Sequence, residues 1–291
     1  MINEQLVNLS NDFFQNSLDA SPTSAIMRGH KAYFDKIEEL TEEQFEIDSK
    51  NVDDYLKRLR EIELNSLSNR EKVTYGMLEF ALGSNKDSLL DKGWEFSAGV
   101  AGFTGFLIDY NQQMFIPDME SADLLLKRLE LYKRLFNQIA YVQKTGLENN
   151  RVATERNLLR TIDQLENYLD TTLENDPLLL VNFSPDISDG DISNWKEKAK
   201  VIIESNIRPS VLSYLEQLRT EHLPLGRPDD KSGIMWIEGG EDVYLRSLRK
   251  YTGHKDTTVK EVHEIGMTEI VRLKKEFFEK KKNVFSEVDS P

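Results

Sequence analysis

The chain has 291 residues, of which 39% are hydrophobic and 30% charged, and its 37 Lys and Arg against 51 Asp and Glu leave a net charge of −14. That balance is too apolar for a disordered acidic tail and too polar for a membrane-embedded protein, and a chain this long can bury a sizeable core. The absence of cysteine removes disulfides, thiolate metal sites, iron–sulfur clusters and cysteine nucleophiles.

The first helix is expected from Asn3 to Leu18, where Leu6, Leu9, Phe13 and Phe14 recur on one side. Ser21-Pro22 opens a new element. Helices follow from Val52 to Leu67 and from Asn69 to Leu82. Between Gly93 and Ile116 the texture changes: Gly93, Gly99, Gly102 and Gly105 interrupt an aromatic stretch with Trp94, Phe96, Phe103, Phe106 and Phe115. Such a segment reads as irregular, buried backbone; no Lys-Ser/Thr pair follows to make it a phosphate loop. From Ser121 to Val142 a single stripe of Leu125, Leu129, Tyr132, Phe136 and Ile139 predicts one helix. A second follows Gly146 with Leu158, Ile162, Leu165 and Leu169, and the short connection suggests an antiparallel pair.

Asp186, Asp189 and Asp191 alternate in a turn-rich stretch, but no glutamate stands where a calcium loop needs its bidentate ligand. Asp191 or Ser193 is expected to cap the next helix, which carries Trp195, Ala199, Ile202 and Ile203; Pro209 kinks it or starts another. Short strands are plausible only within Gly226–Gly240, around Ile234-Met235-Trp236-Ile237. A helix follows from Glu241 to Tyr251. Thr258-x-x-Glu261 forms a capping box for a last long helix through Val262, Ile265, Ile270, Leu273 and Phe277. The predicted fold is therefore all-α: a multi-helix elongated bundle with at most one short β-hairpin near 233–240. It forms a single helical domain over 1–291, with a candidate sub-boundary near 85–118.

The basic cluster Lys274-Lys275 with Lys280-Lys281-Lys282 falls at a predicted helix C-terminus, where cations favour the dipole. With an acidic chain around it, neither a nucleic-acid nor a membrane partner is expected. The N-terminus has no secretory pattern, and no run approaches the ~20 apolar residues of a membrane span, so the expected location is cytoplasmic.

The four histidines, His30, His222, His254 and His263, include no pair one helical turn apart. His263-Glu264 begins like a metallopeptidase motif, but Met267 stands where the second imidazole belongs. No Gly-x-Ser-x-Gly elbow exists. Adjacent acids such as Glu42-Glu43 and Asp229-Asp230 read as solvated surface. No catalytic residue and no metal ligand is assigned, and no cofactor is expected in this chain.

Several segments resemble the bacterial "domain of unknown function 885" family. They are Pro22-Thr23-Ser24-Ala25-Ile26-Met27-Arg28-Gly29-His30 with Tyr33 and Asp35; Ile207 to Leu215 leading to Leu223-Pro224 and Arg227; and the block from Gly233 to Glu276, with Gly240, Tyr244, Leu248-Arg249, Thr252, Thr257 and Val262-His263-Glu264-Ile265-Gly266. The resemblance implies a helical fold similar to zincin-type carboxypeptidases, with members of about twice this length. Their metal motif, a His-Glu followed by Pro-Gly-His, belongs to a C-terminal half that is not in this sequence, so zinc is implied only for full-length relatives.

Two functions follow as expectations. One is the N-terminal helical half of a metallopeptidase- or hydrolase-like protein, inactive alone, whose partners are a peptide substrate or the missing C-terminal half. The last helix, 258–284, with Phe277, Phe278 and Phe285, would then pack on that half or turn its aromatics inward. The other is a free-standing, non-catalytic binding or scaffolding module. Cleft-wall candidates in the best-matched block are Tyr244, Arg249 and His263. Arg249 can hold a substrate carboxylate bidentately, or simply pair with a local glutamate.

Overall fold

The computed structural model describes residues 3–97, 111–254 and 256–285. Gly99, Gly102, Gly105, Phe103 and Phe106 lie outside the described residues, as does the side chain of Phe285. The chain divides into two compact units, Met1–Glu238 and Gly239–Pro291.

The first unit begins with α1 (Glu4–Ala20), opened by the Asn3 side chain accepting the Leu6 N–H at 3.0 Å. A short α2 (Pro22–Met27) follows. Thr41 caps α3 (Glu42–Arg60), and Ser68 with Glu71 forms a reciprocal capping box for α4 (Asn69–Asp91). These caps answer N–H groups that a helix cannot satisfy internally. Leu6 and Leu9 of α1 meet Val52, Leu56 and Leu59 of α3 and Leu78 and Leu82 of α4 in a small core.

A larger core gathers Leu18 of α1 and residues of α2 with those of α5 (Met119–Glu130), α6 (Tyr132–Glu148), α7 (Glu155–Asp170), α8 (Asp189–Ile202) and α9 (Arg208–Gln217). The stripe expected as one helix over 121–142 breaks at Leu131. Its N–H reaches back three residues to Arg128 O, a tighter turn that keeps Leu129 and Tyr132 buried on either side. α9 packs against both α6 and α7 through Val211, Tyr214 and Leu215. The periodicity of α6 and α7 shows that each has an apolar face; it does not show that a later helix meets both.

Ser188, rather than Asp191 or Ser193, caps α8 by accepting the Asp191 N–H at 3.1 Å. The helical path then runs on through a π-helical turn (Ile203–Ile207) into α9, and through a second (Leu218–His222) beyond it. Pro209 follows the first wide turn, where the ladder is already interrupted and its missing N–H costs little. Trp195 is buried and donates its indole N–H to Ala122 O at 2.7 Å.

The all-α class holds; among the described residues the strands amount to a two-stranded parallel ladder, β1 (Phe115–Ile116) beside β2 (Asn182–Phe183), and an isolated bridge between Thr154 and Arg227. The location expected for strands, around 233–240, is instead a 3-10 turn at Ile234–Trp236. Arg227 braces the entry to this turn: its guanidinium donates to Lys231 O and Gly233 O, both at 2.7 Å, and Gly233 O also accepts the Trp236 N–H at 3.2 Å that closes the turn.

The second unit holds α10 (Gly240–Thr252), ended by Gly253 at φ 71°, and α11 (Val259–Phe285). The Thr258–Glu261 box forms as expected, with reciprocal bonds of 2.8 and 3.2 Å. None of the described helices is long and apolar enough to cross a membrane.

Candidate functional site

The first unit carries a groove between the start of α3 and the exposed flank of α6. Four residues of α6 spaced one turn apart, Lys133, Asn137, Tyr141 and Thr145, form its ridge, while the opposite side of the helix is in the core. The groove has two adjoining parts. The outer is an open trough of 890 Å³ lined by Thr41, Glu42, Lys133, Asn137, Gln138 and Asn206 among others. The inner is a pocket of 350 Å³ walled by Phe45, Leu89, Leu90, Trp94, Tyr141 and Val142. Glu42 and Tyr141 border both.

Local structure fixes this geometry. Gln138 accepts the Leu40 N–H at 3.0 Å and donates to Glu39, which also pairs with Arg134 at 3.1 Å; the entrance to α3 is thereby tied to α6. Phe45 and Trp94 stack with ring centres 3.9 Å apart and 12° between planes. Trp94 sits on a single 3-10 turn, Gly93–Glu95. The buried Glu95 carboxylate of that turn lies 2.7 Å from Arg151, whose guanidinium also donates to Glu238 O and Asp91 O and lies over the Phe96 ring. A Cβ at Gly146 would fall 2.2 Å from Glu95 O, so the turn reaches its place against α6 only because that position lacks a side chain.

Charges around the groove are mostly matched. Lys86 pairs with Asp53 at 2.6 Å, Lys92 stands 3.9 Å from Glu95, and Glu46 lies 3.6 Å from Lys50. Glu42 is exposed and has no hydrogen bond or ion pair from its carboxylate among the described residues. It is a free anion at the junction of pocket and trough.

Other polar groups are structural. Arg128, fully buried, donates to Lys36 O and to the Thr23 hydroxyl and lies 3.7 Å from Glu38, which in turn accepts the Thr23 N–H. Asp176, also fully buried, meets Arg208 at 3.0 Å and accepts the Leu178 N–H. Burial raises the Tyr168 phenol well above its usual range, and the negative charge of Asp176 adds to this. Tyr214 donates to Gln143 at 2.7 Å, and burial raises its pKa too. Burial lowers the proton affinity of His222. Apart from the Tyr168 hydroxyl, His222 Nε2 and Arg128 Nε, which are buried without a hydrogen-bond partner, these polar groups are held by each other and by backbone, and they fasten helices together.

The residues proposed from the sequence belong to the second unit. Tyr244 and Arg249 are exposed on α10, and five positions separate them by about 140° around the helix, so they do not share a face. His263 is exposed on α11. Among the described residues none of the three has a side-chain hydrogen bond or ion pair, so Arg249 has no local glutamate partner. No group of three metal-ligating side chains converges among the described residues. The signal that could have found the groove is the Lys133–Asn137–Tyr141–Thr145 spacing opposite the aromatic Gly93–Phe96 stretch.

The family model described as "Bacterial protein of unknown function (DUF885)" matches residues 22–290. The chain belongs to this family. The DUF885 match takes in the groove-forming helices and the Gly233 to Glu276 block alike. A solved structure described as "the putative lipoprotein from Colwellia psychrerythraea" is similar, with a TM-score of 0.76 at 17% identity, over 92% of this chain and 49% of that one. The DUF885 chain thus spans about half the length of that neighbour, and at this identity the likeness establishes the shared fold. No curated protein matches.

Proposed function

We propose that the chain is the N-terminal helical half of a hydrolase-like DUF885 protein, forming one wall of a peptide cleft and inactive by itself. The observation that carries this reading is the coverage: nearly all of this chain corresponds to only 49% of its structural neighbour. The resemblance to helical zinc carboxypeptidases supplies the reaction class. The solvent-facing apolar residues of α11, among them Ile265, Ile270, Leu273 and Phe277, favour a further polypeptide against that helix.

The residues present do not fit the zinc that the resemblance implies. His30 packs against the Phe14 and Tyr33 rings, His222 is buried beside Gln217 O, and His254 and His263 lie exposed in different segments. No step is therefore routed through a metal on this chain. Purified protein is expected to hold no stoichiometric zinc by elemental analysis and to leave peptides uncut; stoichiometric zinc, or cleavage, overturns the reading. An open frame after the Pro291 codon encoding a His-Glu and a later His would support it directly.

A second reading, a non-catalytic helical binding module, is favoured by the two cores that lie wholly within Met1–Glu238. Size-exclusion chromatography separates the two: a clean monomer supports the module, self-association supports the half. The cytoplasmic location stays with the first proposal. The description of the neighbour as a lipoprotein stands against it, and fractionation of cells carrying the tagged chain decides.

A further inference from the structure

We infer that the α3–α6 groove binds an extended peptide segment, seating a bulky apolar side chain in the inner pocket and a neighbouring basic group against Glu42. The choice of a peptide rests on the proposed cleft; the location and the sequence preference come from the groove itself.

The inner pocket has the size and lining of a side-chain site. Its 350 Å³ is ample for a phenylalanine or leucine side chain, and its walls include two stacked aromatics, two leucines, a valine and the Tyr141 ring, alongside the charged Glu42, Glu46, Lys86, Lys92 and Glu95. Tyr141 is 57% exposed and Leu90 58%, so apolar surface stands ready to be covered. The floor is preorganised: Trp94 is fixed through Glu95, Arg151 and Gly146, which reduces the ordering cost of binding.

The outer trough continues from the pocket past Glu42 and Tyr141, and its polar lining suits a main chain. Asn137 is exposed on the ridge with an amide able to donate and accept. The charge pattern sets the polarity of the ligand. Lys86, Lys92 and Arg134 already face Asp53, Glu95 and Glu39. Glu130 and Lys133 at the far end of the trough carry opposite charges. That leaves the Glu42 carboxylate at the junction, on a chain whose net charge of −14 attracts cations. An apolar residue followed or preceded by lysine or arginine satisfies both features at once.

The test uses the full chain and three probes, N-acetyl-Phe-Lys-amide, N-acetyl-Phe-Glu-amide and N-acetyl-Gly-Lys-amide, titrated by NMR. Saturable binding of the Phe-Lys probe is expected, with affinity above that of the Phe-Glu probe by up to about fivefold, the scale of one exposed charge pair. Glu42→Gln should abolish the preference for Lys over Glu, and Tyr141→Ala should abolish the preference for Phe over Gly. Both side chains are exposed, so circular dichroism is expected to show intact helices. The inference fails if no probe saturates, or if either preference survives its variant. Zinc content and peptide cleavage, measured on the same sample, report separately on the hydrolase-half proposal. A chain that cleaves peptides yet loses its Lys preference in Glu42→Gln sinks that proposal and keeps the groove.

Discussion

Helices α6 and α11 carry similar apolar stripes and meet different fates. In α6, Tyr132, Leu135, Phe136, Ile139 and Val142 are all at most 5% exposed. In α11, Ile265, Ile270, Leu273 and Phe277 are 61, 47, 52 and 66% exposed. An amphipathic pattern therefore specifies a face, while its partner comes from elsewhere in the chain: for α6, from α9 and the turn that carries Trp94. Burial of one large apolar side chain contributes about 1.5–3 kcal/mol, a gain that α6 collects several times over.

The contrast is most easily broken with a matched pair of truncations. Phe136→Ala in α6 is expected to cost about 3–5 kcal/mol in urea unfolding, and Phe277→Ala in α11 at most about 0.5 kcal/mol. A large cost at Phe277 would mean that its face is covered in solution. Next in size is the anchor of α9, the shared partner of α6 and α7. Asp176→Ala leaves the Arg208 charge without its buried partner, and a loss of about 3 kcal/mol in thermal unfolding is expected. Arg208→Met together with Asp176→Leu should recover much of it. Gly146→Ala sharpens the picture of α6 itself. The added methyl meets the Glu95 backbone, so a loss of about 1–3 kcal/mol is expected, accompanied by a change in Trp fluorescence as the Trp94 turn shifts.

The smallest effect is a pH dependence at His222. Burial lowers its pKa in the folded state, so the unfolded chain binds more protons. The associated stability is complete above the ordinary histidine pKa of about 6.5 and declines as pH falls from there toward the folded value. His222→Gln should flatten this part of the stability profile, read from unfolding midpoints across mildly acidic pH.

Much of the helical content is legible from local signals, because periodicity and caps are local. The Thr258–Glu261 box and the stripe through Leu125, Leu129 and Tyr132 are examples. What escapes is what depends on distant residues. Nothing near Ile234 announces that Arg227 will hold the surrounding carbonyls. The two-residue ladder at Phe115 and Asn182 is too short to show an alternation. For the groove, Glu42 reads in sequence as one of two adjacent surface acids, and Glu43 remains just that; only the approach of α6 sets Glu42 beside a pocket. Tyr244, Arg249 and His263 came from a shared block of residues, and the structure adds only that all three are exposed on their helices.

The two π-helical turns have a consequence for rotational phase. Trp195 and His222 are separated by about seven and a half turns at roughly 3.6 residues each, which in a regular α-helix sets them on opposite sides. Both are nevertheless buried, at 1% and 3% exposure. Each wide turn absorbs one surplus residue, and two such corrections return His222 to within about 20° of Trp195's direction. Deleting a single residue from either turn would swing everything beyond it by about 100°, so these turns work as the angular gearing that keeps a long helix facing inward.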